Sequence, residues 1–306
     1  MGKIAFVFPG QGAQSAGMGK DFYENSAVSR AIFRKAGELL GFSMEELCFE
    51  ENDRLNITEY TQAALVTTSV AMLSEMESRG YLPDVAAGLS LGEYCALVSC
   101  KAMSFEDAVR TVRQRGILMQ KTVPVGQGAM AAVMGLTAEV IDQVIEPISG
   151  IEVANYNCPG QIVISGNAQK METACAALKE AGAKRTVLLN VSGPFHSGML
   201  IPAGEKLREV LEPVTIREHR IPYVTNVTAS YVTGTEEVKD LLVRQVSSSV
   251  RWQQSVEMMI ADGVDRFVEI GPGRTLASFI RKISRQVSVY NVNTWDALEG
   301  LETFLK

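Results

Sequence analysis

Pro83-Asp84-Val85-Ala86-Ala87-Gly88-Leu89-Ser90-Leu91-Gly92 joins a short apolar strand candidate to a helical stretch, Leu91–Ser99. The joint is the pentapeptide Gly88-Leu89-Ser90-Leu91-Gly92, a G-x-S-x-G. Between a strand and a helix this is the pattern of a nucleophile elbow, a turn so sharp that only glycines fit on either side of the serine. Ser90 then stands at a helix N-terminus, where the dipole and free N–H groups favour developing negative charge. The next residue, Leu91, can offer its backbone N–H to an oxyanion. The pentapeptide alone is weak: with Gly near 7% of residues, a chance match in such a chain has odds of about one in ten. A serine here also suits a plain helix cap. The strand–turn–helix setting is what points to a nucleophile on an α/β fold.

Working outward, Lys3–Phe8 is strongly apolar, as a buried parallel strand is, and runs into the loop Pro9-Gly10-Gln11-Gly12-Ala13-Gln14. Thr58–Ser78 carries apolar residues at helical spacing, and Phe105–Gln120 repeats that pattern. From about Gly128 the rhythm changes. Ala129–Gly135 reads as a strand, Thr137–Ile148 as a helix and Ile151–Tyr156 as a strand. Asn157-Cys158-Pro159-Gly160 reads as a turn, Gln161–Ser165 as a strand, Ala168–Ala181 as a helix and Lys184–Val191 as a last strand. The order β-α-β-β-α-β is that of a ferredoxin-like unit. Beyond it the first style resumes, ending in the strand Arg266–Ile270 and the loop Gly271-Pro272-Gly273. The expected fold is therefore α/β, a hydrolase-like parallel-sheet large domain (1–126 and 196–306) carrying an inserted ferredoxin-like small domain (127–195).

Composition narrows the function. The 306 residues hold 46% hydrophobic and 21% charged residues, those of a chain that buries a core. The 29 Lys+Arg against 35 Asp+Glu leave −6, with no long basic run, which argues against nucleic acid as a partner. Ile4–Phe8 is too short for a signal-peptide core, and no stretch approaches the roughly 18 apolar residues of a membrane span. Cys48, Cys95, Cys100, Cys158 and Cys175 are scattered, odd in number and without a C-x-x-C pair. They read as reduced thiols of a cytoplasmic enzyme and not as a disulfide frame or a zinc site.

A serine hydroxyl needs a base, and the chain has two histidines. His196 lies in Ser192-Gly193-Pro194-Phe195-His196-Ser197, a Gly/Pro loop after the last strand of the inserted unit, at the expected cleft between domains. His219, in Ile216-Arg217-Glu218-His219-Arg220, reads as solvated surface. A carboxylate behind the base cannot be found by spacing: Asp107 and Asp142 fall in helical patterns, not on loops after strands.

Six signatures run along the chain in one order: Phe8-Pro9-Gly10-Gln11-Gly12-Ala13-Gln14; the elbow followed by Glu93-Tyr94; Arg115-Gly116 with Met119-Gln120; Gly193-Pro194-Phe195-His196-Ser197; Gln245 followed by Val250-Arg251-Trp252; and Glu269-Ile270-Gly271-Pro272-Gly273. Together they resemble the malonyl-CoA:acyl carrier protein transacylase family. The resemblance implies transfer of malonyl from malonyl-CoA to the phosphopantetheine thiol of acyl carrier protein, as in fatty-acid synthesis, with no metal or other cofactor. It implies Ser90 as nucleophile, His196 as base and the main-chain carbonyl of Gln245 as the group orienting the imidazole, which accounts for the missing acid. It implies Gln11 and Leu91 as oxyanion-hole donors, and Arg115, with Met119 and Phe195, as the substrate-binding set. Taken alone, Arg110, Arg113 and Arg115 read as a solvated face; a guanidinium fork is nonetheless the group that would hold a free malonyl carboxylate. Phe195 resembles the bulky residue that leaves little room for a 2-methyl branch. Two departures stand out: Leu89 where the family commonly has histidine, and Ala63 where it has proline. An acidic carrier would need a local basic surface, for which Lys184-Arg185 and Arg281-Lys282 are candidates.

Overall fold

The computed structural model describes residues 2–191 and 193–305, so Ser192 of the histidine loop and both terminal residues lie outside the described residues. Within them run ten strands: β1 (Lys3–Phe8), β2 (Val85–Gly88), β3 (Gly128–Met134), β4 (Ile151–Cys158), β5 (Gln161–Asn167), β6 (Arg185–Leu188), β7 (Tyr223–Val224), β8 (Tyr231–Val232), β9 (Val264–Ile270) and β10 (Ser288–Val292). The larger sheet has the order β10-β9-β1-β2-β7-β8 and is parallel except for β8, which pairs antiparallel with β7. Side chains of β1 alternate between two cores. Phe6 and Phe8 face one with the helices Thr58–Ser78, Gly92–Ser99 and Phe105–Thr122; Ala5 and Val7 face the other with Trp252, Val256 and Leu276. A sheet covered on both faces is why β1 and β2 read as unbroken apolar runs.

The helix Thr58–Ser78 departs from the one-sided pattern expected. Every residue from Thr61 to Leu73 is buried, so it is a central helix and not a surface one.

The second sheet is antiparallel with order β4-β5-β3-β6. Two helices, Ala138–Ile145 and Ala168–Glu180, pack on one face over Ala131, Val133, Ile162 and Ile164. This is the ferredoxin-like arrangement, with the first strand of the unit paired to its third and fourth. The alternate residues Met130, Ala132 and Val163 belong to the main core on the opposite face. Two boundaries differ from expectation. Asn157 and Cys158 stay in β4, whose last pair is Cys158 with Gln161, so only Pro159 and Gly160 turn. The last strand narrows to Arg185–Leu188, because Leu189, Asn190 and Val191 leave it to line a cleft. The free edge of β4 is closed by Val250, which exchanges backbone hydrogen bonds with Ala154 (2.8 Å) and Tyr156 (3.0 Å).

Parallel pairing ends β1 and β2 in register, Phe8 opposite Gly88. Their following loops therefore emerge side by side at the carboxyl edge of the sheet, where open α/β sheets build sites. The approach is close: a Cβ on Gly92 would lie 2.1 Å from the Phe8 carbonyl oxygen, and one on Gly88 would lie 2.0 Å from the Gly92 carbonyl carbon. Gly92→Ala should cost about 3–5 kcal/mol and lower the melting temperature by ~10 °C. Gly234→Ala, which meets nothing within 4 Å, should leave it unchanged. Equal melting of the two variants would refute the close-packed elbow.

Candidate active site

Ser90 sits at φ 52°, in the left-handed region that costs a non-glycine residue about 1–3 kcal/mol. The turn is held from outside. Asn226, after β7, accepts from the Ser90 N–H at 2.5 Å through Oδ1 and donates to the Gly88 carbonyl at 2.7 Å through Nδ2. A second carboxamide supports the same turn, as Gln245 donates from Nε2 to the Ser90 carbonyl at 2.9 Å.

His196 is also at positive φ, 59°, in its Gly/Pro loop. Its Nε2 lies 2.7 Å from Ser90 Oγ, and its Nδ1 lies 2.9 Å from the Gln245 carbonyl oxygen. A carbonyl only accepts, so Nδ1 carries the proton and Nε2 is left as the acceptor facing the serine hydroxyl. Burial pulls the imidazole down to about 4, and the Arg115 charge adds to the effect. The ring is thus neutral, and able to accept a proton, throughout the neutral range. Among the described residues no carboxylate bonds to it, and Asp107 and Asp142 sit within the helices Phe105–Thr122 and Ala138–Ile145. His219 corrects its reading as solvated surface. Its ring packs on Tyr223, and its Nδ1 lies 3.1 Å from the Val232 carbonyl, because the segment folds back over β7 and β8.

Arg115 corrects the solvated-face reading as well. Arg110 is exposed, but Arg115 is 1% exposed, because five residues on it has turned to a different face of the helix. Its guanidinium donates to Gln62 Oε1 at 2.9 Å, to Gln245 Oε1 at 3.0 Å and to Ser90 Oγ at 3.2 Å. Burial lowers its affinity for the proton, but a guanidinium keeps its charge in proteins. A buried cation touching the hydroxyl of Ser90 is poised for an anionic ligand. Gln62 in turn donates to Met119 Sδ at 3.6 Å, linking that residue to the same set.

These groups line one cleft of about 620 Å³. Gln11, Leu89 and Leu91 come from the loops after β1 and β2, and Phe195 from the histidine loop. Asn155, Asn157 and Val163 face it from the small sheet, and Thr275 and Phe279 from the helix after β9. All eight residues expected at the site are brought together, with Gln245 buried behind the wall at 0% exposure. The loops that carry Gln11 and Leu91 pack together at Gly10, where a Cβ would come within 2.6 Å of the Leu89 carbonyl oxygen. A second hollow of about 520 Å³, between the helix Ala168–Glu180 and β6, contains none of these residues.

Sequence reasoning missed four contributions: Asn226, Gln62, Glu93 and the side chain of Gln245. Only Glu93, a charge inside an otherwise apolar helical stretch, carried a signal; it is 0% exposed. Among the described residues no three His, Cys, Asp or Glu side chains gather as metal ligands. No helix there is long and apolar enough to cross a membrane.

The acyl transferase domain family matches residues 5–296. The chain is 45% identical over 304 residues to the malonyl CoA-acyl carrier protein transacylase of Bacillus subtilis, covering 98% of this chain and 96% of that one. Its fold is similar to the malonyl CoA-acyl carrier protein transacylase of Clostridium perfringens, with TM-score 0.96 and 43% identity over 99% of this chain and 97% of the other. A malonyl-transacylase in complex with its type II PKS acyl-carrier protein also matches, with TM-score 0.96 and 38% identity over 98% of this chain and 99% of that one. An elbow serine, a neutral buried imidazole and a buried guanidinium in one cleft agree with that kinship: the chain belongs to the acyl transferase domain family, among the malonyl CoA-acyl carrier protein transacylases.

Proposed function

We propose that this chain transfers malonyl from malonyl-CoA to the phosphopantetheine thiol of acyl carrier protein through an acyl-serine, with Ser90 as nucleophile and His196 as base. The observation that carries the reading is the 2.7 Å Ser90–His196 contact with the Arg115 guanidinium 3.2 Å from the same hydroxyl. His196 Nε2 takes the hydroxyl proton as Ser90 Oγ bonds to the thioester carbonyl carbon. The C–S bond breaks, and coenzyme A leaves with the proton from His196. The carrier's thiol then gives its proton to His196, attacks the acyl-serine and restores the hydroxyl. The exchange balances without metal or other cofactor. The Gln245 carbonyl orients the imidazole, and the N–H groups of Leu91 and Gln11 receive the oxyanion; the adjacency of their loops supports this pairing.

Arg115 binds the malonyl carboxylate and holds the acyl group where water attacks poorly. Met119 and Phe195, both buried on the cleft wall, shape the acyl pocket. Phe195 disfavours a 2-methyl branch by about 1–3 kcal/mol. The large domain comprises 1–126 and 196–306 and the inserted domain 127–195. The partner is acyl carrier protein, which a relative of this fold binds in the solved complex. Arg281-Lys282, exposed on the helix that gives Thr275 and Phe279 to the cleft, and exposed Lys184-Arg185 supply positive charge. The setting is the cytoplasm, in keeping with five unpaired cysteines.

Mixing the chain with malonyl-CoA should add one malonyl mass to the tryptic peptide holding Ser90, and Ser90→Ala should add none; an acylated Ser90→Ala would overturn the assignment. Arg115→Ala should cut malonyl transfer by ~10²-fold, the loss of about 3 kcal/mol of charged hydrogen bonding, while acetyl transfer is spared. Equal loss for both acyl groups would remove Arg115 from carboxylate binding. The acid limb of kcat/KM reports the free enzyme's base. Lowering the His196 value from 6.5 to about 4 favours its neutral form, so kcat/KM should stay level from pH 7 to about 5 and fall with a midpoint near 4. A midpoint at or above 6.5 would contradict this.

A further inference from the structure

Glu93 is a fully buried carboxyl that touches neither Ser90 Oγ nor His196, and the steps above leave it without a part. Its Oε2 accepts from two segments remote in sequence: from Gln245 Nε2 at 2.7 Å and from the Asn226 N–H at 3.1 Å. Each donor in turn grips the reacting groups. Gln245 offers its carbonyl to His196 Nδ1, its Oε1 to Arg115 and its second Nε2 hydrogen to the Ser90 carbonyl. Asn226 takes the Ser90 N–H and holds the Gly88 carbonyl. A carboxamide can flip, exchanging donor for acceptor. Gln245 cannot flip here without placing Nε2 against the Arg115 donors and Oε1 against the Glu93 oxygen.

We propose that Glu93 is a positioning residue for acyl transfer, its Oε2 tethering Gln245 and Asn226 so that the first holds His196 and Arg115 and the second holds the Ser90 elbow. The inference rests on the reading of Ser90 and His196 given above. The position is well chosen, since Glu93 lies three residues after Ser90, in the first turn of the helix that the elbow begins, and its N–H donates to the Ser90 carbonyl at 3.1 Å. One rigid turn thus carries both the serine and the tether. A buried carboxylate costs several kcal/mol unless it is matched, so an apolar residue would stabilise this helix more simply. Burial raises the Glu93 carboxyl to about 7, opposed by its bonds from Gln245 and Asn226 and by the Arg115 charge. The other titratable groups facing it are Tyr223 on β7 and Tyr94 on its own helix, with His196 beyond Gln245. Near that value Oε2 must serve as acceptor in both protonation states. Acceptance, more than charge, is therefore what the tether needs, and a glutamine retains it.

The test compares Glu93→Leu and Glu93→Gln with the unaltered chain in single-turnover acylation by malonyl-CoA, reading maximal rate, half-saturating concentration and acylated fraction. Glu93→Leu should acylate at least ~10²-fold more slowly, with half-saturation within ~fivefold and nearly every chain finally acylated. Glu93→Gln should lose threefold to tenfold. A merely structural role would instead reduce the acylated fraction and the melting temperature while folded chains kept their rate, and that result would overturn the proposal. Glu93→Leu at the original rate, or Glu93→Gln as slow as Glu93→Leu, would overturn it too. If Glu93→Leu does not fold, Glu93→Gln decides: a loss of threefold to tenfold at unchanged melting supports the tether, and a larger loss or none refutes it. With two histidines in the chain, the ¹⁵N spectrum of His196 gives an independent reading. The Nδ1–H tautomer should persist in Glu93→Gln and become mixed in Glu93→Leu; an unmixed tautomer there counts against the tether. Should the unaltered chain itself take no malonyl, the function proposed above fails, and not this inference alone.

Discussion

The register of β1 against β2 is the constraint from which the rest of the site follows. Phe8 pairs with Gly88, so the two strands stop together and their loops leave at one level. The Phe8 carbonyl then lies where any side chain on Gly92 would be. That close approach forces the chain to turn at Ser90 and begin a helix at once, with the serine in a left-handed conformation. A slip of one residue would turn every side chain of β1 to the other core and carry the Gln11 loop away from Leu91. Geometry set by backbone pairing in this way needs little help from the side chain of Ser90 itself. The strain it leaves is held by two carboxamides, Asn226 and Gln245.

The elements were legible because each is a short-range pattern. Apolar runs marked β1 and β2, Pro159-Gly160 marked a turn, and the change of rhythm near Gly128 marked the inserted unit. Strand ends were less legible where a tertiary partner decided them. Asn157 and Cys158 carry turn-forming chemistry, yet pairing with β5 keeps them extended. Leu189–Val191 is as apolar as the strand before it, and is drawn instead into the cleft wall. At the site, the elbow pattern pointed to Ser90 and the scarcity of histidine to His196, and the resemblance supplied Arg115 and the Gln245 carbonyl, but the side chains that hold these groups were not marked. Asn226 meets Ser90 across 136 positions, and Gln245 meets Arg115 across 130. No periodicity spans such distances, and a lone Asn or Gln carries no signal of its own. The burial of Arg115 was hidden for a related reason: its partners, Gln62 and Gln245, are uncharged, so no opposite charge in the sequence announced it.

The choice of uncharged partners has an electrostatic logic. A carboxylate bonded to His196 would raise its basicity, and one bonded to Arg115 would compete with an anionic ligand. Both groups are held by amide oxygens instead, His196 by one from the main chain and Arg115 by two from side chains. Arg115 thus keeps its charge available, and the imidazole stays neutral beside it. The nearest buried carboxyl, Glu93, is set one carboxamide away, with the Gln245 amide between it and the guanidinium. That amide is aligned with its oxygen toward the cation and its N–H toward the acid, the favourable direction for its dipole. A weakly supported base suffices for a thioester, whose carbonyl is already activated and whose thiolate leaves readily.

Net charge acquires meaning at the same scale. A chain at −6 does not attract an acidic partner by its overall field, so any attraction must come from a patch within a Debye length of the mouth, about 8 Å at physiological ionic strength. Of the two candidate cations Arg281 and Lys282, the second donates from Nζ to Gln161 Oε1 on the cleft wall at 3.3 Å. Both close the helix Thr275–Ile283, whose other residues Thr275 and Phe279 line the cleft. The N-terminus of that helix is fixed by Glu269, buried at the end of β9, which accepts from the N–H groups of Leu276 and Ala277 at 3.0 and 2.8 Å. The helix is thereby anchored to the carboxyl edge of the same sheet that carries Ser90. Its basic end is held rigidly relative to the serine, so a partner steered there would deliver its thiol along a fixed direction, whereas a mobile lysine tail would raise the encounter rate without orienting the thiol.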